Sequence, residues 1–368
     1  MKKVLFVANH AGFSKFNAPY FDWFKSVGWE VHNASPGIEK GNVDRQFDID
    51  IQRNPFSLKN IRAYKELKSI IELNNYDIIH VHTPMGAVLG RLAAISSRKR
   101  GTKIIYTVHG FHFYKGAPLK SWLIYCSIEL FLSRYTDVVV TINDEDYEFA
   151  KRHTLANGKV FKIDGVGVDL SRFSRKSDEE RAEIRMSLGL SPNDFVCLYI
   201  GQFIPRKNHE FIIRQLPELK RRIKNLKFIF VGKGETFNDM NNLTRKLSVD
   251  YITIFLGGRT DVDRICNAAD VHVSSSLQEG LAIGNIEAMA TGCGLVLSDI
   301  RGHREVCTPN RNGFLFSLKQ PKEMVDAITT LANYPPLCVN YWLSITYKVL
   351  LISRLLYQSP KWEKFMKL

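Results

Sequence analysis

The chain reads as two doubly wound α/β units in tandem, and three observations point there. Apolar runs of about four to eight residues alternate with longer amphipathic stretches, the pattern of parallel strands covered by helices on both faces. The pattern restarts after a polar stretch, Ser171 to Asn193. At 368 residues the chain exceeds one ordinary core and suits two domains of roughly 170 residues each.

In the first half, strands are predicted at Val4–Ala8, Ile78–Val81, Ile104–Val108 and Val138–Ile142, with a weaker one at Val160–Ile163. Helices are expected over Leu58–Leu73 and Leu119–Ser133 between them. The second half offers strands at Phe195–Ile200, Phe228–Val231, Ile252–Leu256, Val271–Ser274 and Leu295–Leu297. The division adopted is 1–175 and 176–335, followed by a hydrophobic and basic tail, 336–368. In open parallel sheets ligands bind beyond the carboxyl ends of the strands, so chemistry is sought just after each one.

Composition narrows the class. The six cysteines form no C-x-x-C pair and mostly sit in apolar runs, which predicts reduced, buried thiols in a cytoplasmic protein. The opening run ends at Asn9, too early for a signal-peptide core, and reads as a first strand. No stretch reaches about 18 uninterrupted apolar residues, so no spanning helix is expected. The formal charge of +14 suits an anionic partner. With no arginine-rich arm and no RNA-binding aromatic motif, nucleic acid is not that partner. An acidic membrane surface is the sharper reading, and a solvated basic face the plain one.

Three groups of residues carry chemistry. After the strand ending at Ile200 come Gly201 and then Arg206 and Lys207, just before a helix expected from about Asn208. Cations beside a helix start favour a diphosphate. Next, Glu279 and Glu287 stand eight positions apart in a stretch holding Gly280, Leu281 and Gly284. On one continuous helix they would lie about 12 Å apart, too far for a retaining glycosidase pair at about 5–5.5 Å. Glu279 is therefore placed on a loop and Glu287 in the first turns of a following helix, both as acceptors for vicinal hydroxyls. The third group is histidine: His80 and His82 end one strand, and His109 and His112 follow the next. No carboxylate or cysteine joins them at ligand spacing, so no metal or cofactor is expected and one or two of them line a sugar pocket. Gly258 and Arg259, after another strand, border a nucleobase or form a plain turn.

These elements, taken in order, resemble family 4 glycosyltransferases of the GT-B fold, in the capsular and exopolysaccharide branch. The resemblance rests on His80–Pro84, Thr107–Gly110, Gly165–Asp169, Gly201–Asn208, Ala269–Val271 and the pair Glu279 and Glu287, and runs from Met1 to about Leu331. It implies two Rossmann-like domains facing across a cleft. The activity it implies is retaining transfer from a nucleotide diphosphate sugar, a UDP-sugar by expectation, to a lipid-linked oligosaccharide acceptor. By position, Arg206 and Lys207 would hold the diphosphate, Glu279 the sugar and Glu287 the ribose. His109 would sit beside the reacting sugar, and Gly12 in the first loop would bring backbone amides to the phosphate. The implied location is cytoplasmic, peripheral on the inner face of the membrane. Gln202 stands where the family often has arginine, and Asn9–Phe13 lacks the usual double glycine. Beyond Asn333 the resemblance ends, leaving open a membrane-facing helix or a shifted reading frame. Two rivals are a sugar-nucleotide 2-epimerase of the same fold class and a catalytically impaired sugar-nucleotide-binding protein.

Overall fold

The computed structural model describes residues 1–10, 12, 14–37, 41–163 and 168–334. The tail 336–368, Ala11, Phe13 and most of the Gly165–Asp169 motif lie outside the described residues. The chain divides into two compact units, Met1–Val166 and Gly167–Leu368. Val168 and Phe173 pack into the core of the second unit.

The first unit is built on seven strands: β1 (Lys3–Val7), β2 (Glu30–Ser35), β3 (Arg45–Asp48), β4 (Ile78–His82), β5 (Lys103–Val108), β6 (Val138–Thr141) and β7 (Val160–Lys162). Their order is β3-β2-β1-β4-β5-β6-β7, and every pairing is parallel. The second unit has six: β8 (Phe195–Ile200), β9 (Leu226–Val231), β10 (Thr253–Gly257), β11 (Val271–Ser274), β12 (Gly294–Ser298) and β13 (Gly313–Phe316). They run β10-β9-β8-β11-β12-β13, again all parallel.

Alternation along the strands builds a core on each face of the second sheet. Cys197, Tyr199, Phe228, Phe230, Val271 and Val273 fill one side. Val196, Leu198, Ile229 and Val231 fill the other. Both faces are covered, so these strands read as continuous apolar runs rather than alternating ones.

Three strands escaped the sequence pattern. β2 reads Glu-Val-His-Asn-Ala-Ser and looks too polar for an interior strand. Its polar side chains are buried because each finds hydrogen-bond partners within the strand and on its neighbours. His32 bonds Tyr76 Oη and Glu30 at 2.7 Å each, and Asn33 donates to Ser35 Oγ and Gln46 Oε1. β3 is a short edge strand with two charged ends, and β13 is a four-residue edge strand following a polar turn. The stretch Leu119–Ser133 is helical as expected but carries a π-turn at Trp122–Cys126. Cys197, Cys266, Cys293 and Cys307 are buried free thiols and Cys126 is a half-buried one; Cys338 lies outside the described residues. No helix among the described residues is long and apolar enough to cross a membrane.

Candidate active site

In each unit the strand order reverses once, between β1 and β4 in the first and between β8 and β11 in the second. Such switch points open a crevice at the carboxyl ends of the strands. Gly12 follows β1 and His82 ends β4, while Arg206 and Lys207 follow β8 and Glu279 follows β11.

In the second unit, β8 runs into Gly201, and a short 3-10 turn over Pro205–Lys207 follows. Asn208 takes a left-handed conformation, φ 53° and ψ 45°, before the helix His209–Ile213. The path of this loop is set by its neighbours. Gly201 N–H donates to the Val231 carbonyl and Phe203 N–H to that of Lys233, each at 2.9 Å, so the loop extends the β8–β9 pairing. Gly232 makes this possible: a Cβ on it would lie 1.8 Å from the Gly201 carbonyl oxygen. The segment Val231–Glu235 is thus the wall on which the cationic loop rests.

The loop delivers Arg206 and Lys207 to Glu279, which follows β11. Lys207 Nζ is 2.6 Å from Glu279 Oε1, and Arg206 Nη1 is 3.0 Å from Oε2. Arg206 also donates to the Gln278 carbonyl. Burial would raise the Glu279 carboxyl, but Lys207 first and Arg206 second outweigh it and hold it down to about 2. The triad therefore carries net charge +1 at neutral pH. Among these three, Arg206 is the most exposed, with 41% of its side chain accessible.

A buried polar network that the sequence did not reveal holds this arrangement. Tyr199 Oη donates to the Lys207 carbonyl at 2.6 Å and meets Ser276 Oγ at 3.1 Å. Ser275 Oγ donates to the Asn208 carbonyl at 2.7 Å, and Ser298 Oγ to the Ser276 carbonyl at 2.7 Å. His303 Nδ1 lies 2.8 Å from the Ser298 carbonyl. Burial keeps the His303 imidazole neutral, lowered to about 4. The run Ser274-Ser275-Ser276 directly after an apolar strand was the available signal, since buried hydroxyls require partners.

The remaining second-unit candidates are spread along the same edge. Gly280 is half-buried, and Leu281 packs on the core. Glu287 is half-buried on the helix Ile283–Ala290, as expected, outside the Glu279 loop. Gly258 packs beside the Lys233 side chain, while Arg259 forms a bidentate pair with Asp261 at 2.8 and 2.6 Å.

In the first unit, β4 and β5 are adjacent, and their ends bring two of the histidines together. His82 Nδ1 lies 3.1 Å from His109 Nε2. His80 meets Thr107 Oγ1 at 2.8 Å and its ring lies 4.2 Å from that of His82. Burial lowers all three, His80 to about 3 and His109 to about 4, so neutral imidazoles face each other. His112 is exposed, its ring 4.9 Å from Tyr125. Gly12 N–H donates to His10 Nδ1 at 3.0 Å in the loop after β1.

The family described as Glycosyl transferases group 1 matches residues 180–341, and Glycosyl transferase 4-like matches 3–143. EpsD of Bacillus subtilis, assigned as a glycosyltransferase, is 41% identical over 92% of this chain and 89% of its own. The chain belongs to the family 4 glycosyltransferases, with the GT-B fold. A second relative is the UDP-Gal:alpha-D-GlcNAc-diphosphoundecaprenol alpha-1,3-galactosyltransferase of Escherichia coli. It is 29% identical over 76% of this chain and 74% of its own. Among solved structures, Anabaena HepE in complex with UDP and glucose matches this glycosyltransferase over the whole of both chains, with TM-score 0.80 at 17% identity.

Proposed function

We propose that this glycosyltransferase moves a sugar, with retention of anomeric configuration, from a UDP-sugar to a lipid-linked oligosaccharide at an anionic membrane surface. The setting is capsule, exopolysaccharide or O-antigen assembly on the cytoplasmic side. One observation carries the reading: Arg206 and Lys207 converge on Glu279 at the β8–β11 switch point. The difficult event is departure of a nucleoside diphosphate with growing negative charge. Cations fixed where that charge develops lower the barrier, because they need no reorganisation at the moment of reaction.

Each residue then has a task. Lys207 and Arg206 turn from Glu279 to the diphosphate when the donor binds. Glu279, ionised throughout, accepts hydrogen bonds from sugar hydroxyls. Glu287 takes the ribose hydroxyls, and Gly12 and Gly201 leave room for backbone amides at the phosphates. Gly280 and Leu281 border the sugar, and Gly258 and Arg259 the base. His109, whose Nε2 is held by His82, is the first-unit residue proposed to act at the sugar, as a neutral imidazole. His112 is proposed for the acceptor. The leaving phosphate assists removal of the acceptor proton on the same face.

The choice of donor and acceptor is supported by the Escherichia coli relative, a galactosyltransferase from UDP-Gal to GlcNAc-diphosphoundecaprenol, and by the UDP bound to HepE. A donor screen tests it: purified protein, a panel of UDP-sugars and a lipid-linked acceptor, read by mass spectrometry. The expected product is the acceptor heavier by one sugar. Donor epimerisation without acceptor, or binding of every donor without turnover, would overturn the proposal.

A further inference from the structure

The stretch after β5 turns an apolar face outward. Leu119, Leu123, Ile124, Ile128, Leu130 and Phe131 are all exposed, Leu119 at 74% and Leu123 at 66%. The inward side is already occupied. Trp122 and Cys126 pack on the first core, Leu132 is buried, and Glu129 accepts from Arg91 Nη1 at 2.8 Å and from Tyr106 Oη at 3.2 Å. The outward residues therefore have no role in the core.

Within the stretch itself the outward charges are cations, while Glu145 meets the Lys115 N–H at 2.6 Å at one end and Asp137 pairs with Arg98 at the other. Glu129 is the only acid between Gly116 and Thr136, and it points inward to Arg91. Exposed Lys115 and Lys120 stand at the start of the stretch and Arg134 at its end. The Arg134 guanidinium lies 4.5 Å over the Phe131 ring. Arg98 bonds Asp137 at 2.9 and 3.0 Å, which brings exposed Lys99 and Arg100 to the same end. A second exposed apolar group, Phe56, Leu58 and Ile61, heads the helix Lys59–Asn74. The β3-to-β4 and β5-to-β6 crossovers run in the same direction, and right-handed crossovers place both helices on one face of the sheet.

We propose that the outward face of residues 119–134 is the surface by which this protein lies on an anionic lipid bilayer. The inference rests on the reading of a lipid-linked acceptor and names the surface that meets the lipid. An apolar stripe with cations at both ends is what an interfacial helix requires: the stripe enters the acyl boundary while the cations stay at the headgroups. Charge complementarity selects this occupant. A second copy would bring the same cationic rims together in a chain of net charge +14, whereas an anionic lipid surface neutralises them.

Flotation of the full chain with phosphatidylcholine vesicles, with and without phosphatidylglycerol, tests the proposal. Two variants accompany the wild type, L123S/F131S and K120Q/R134Q. An unchanged thermal melt and far-UV spectrum report that each variant is folded. The wild type is expected to float only with phosphatidylglycerol. L123S/F131S should lose more than tenfold in partition, and K120Q/R134Q about fivefold for each cation removed. If the wild type floats and both variants float equally well, membrane docking stands and this surface is wrong. A wild type that binds neither vesicle overturns the membrane reading as well. A lipid-free wild-type dimer that L123S/F131S converts to monomer would assign the face to a second copy and overturn the proposal.

Discussion

Removing the Glu279 carboxylate separates the role that the structure shows, holding cations, from the one proposed for it, binding sugar. Glu279 is 7% exposed, and its partners Lys207 and Arg206 are 15% and 41% exposed at the side chain. Stripping one member from a fully buried pair costs about 3–5 kcal/mol. Here Arg206 reaches solvent, so its share is heavily screened, and about 2–3 kcal/mol is expected for Glu279→Ala. At about 2–4 °C per kcal/mol for a unit of this size, the melting temperature should fall by roughly 4–12 °C. Glu279→Gln keeps the volume and one acceptor oxygen and should lose about half as much. In both variants the cations no longer have a competing carboxylate, so UDP affinity should hold or rise. Transfer should fall by about 100-fold or more, as when a charge-stabilising group is lost at a reacting centre. Thermal melts, calorimetric UDP titration and single-turnover assays on the same samples read the three effects. Near-normal transfer by Glu279→Gln would refute the sugar-binding role. Loss of UDP binding in both variants would reduce Glu279 to a scaffold for the loop.

Other consequences follow from the same geometry. Gly302→Ala would place a Cβ 2.7 Å from the Glu279 carbonyl oxygen. A cost of about 1–3 kcal/mol from overpacking is expected, with transfer reduced and UDP binding retained in titration. The buried histidines set the acid limit. His80, His109 and His303 are lowered to about 3, 4 and 4 from 6.5, so the unfolded chain binds more protons between about pH 6.5 and 4. Stability should therefore fall as pH drops through that window. Glu279, lowered to about 2, should add its own loss only below about 4.5. A melting temperature unchanged between pH 7.5 and 5 would contradict the histidine account. His109→Asn should lower the transfer rate without changing UDP affinity; equal loss of both would move His109 away from the sugar.

Much of the fold was legible because its strands are doubly buried. Phe195–Ile200 and Val271–Ser274 announce themselves as apolar runs, and each is followed by a residue of the triad. β2 was not legible, since its buried polar side chains are satisfied by hydrogen bonds that no periodicity encodes, His32 with Tyr76 and Glu30 and Asn33 with Ser35 and Gln46. The site was legible in parts. Arg206, Lys207 and Glu279 could each be named from position after a strand. Their convergence across about seventy residues depends on β8 lying beside β11, which is a property of strand order rather than of local sequence. The Ser276–Tyr199–Lys207 network was missed for the same reason. The outward apolar stripe of Leu119–Phe131 was hidden in a different way: an apolar helix reads as a core helix until one sees which side the sheet occupies.

Lys207 is the residue proposed to meet the donor diphosphate, and calorimetric titration of UDP into wild type and Lys207→Ala tests this most directly. A charge-assisted hydrogen bond is worth about 1.5–3 kcal/mol, so the variant should bind UDP about ten- to a hundredfold more weakly while uridine affinity stays constant. Equal UDP affinity in the two proteins would contradict the assignment and remove the triad from the donor site.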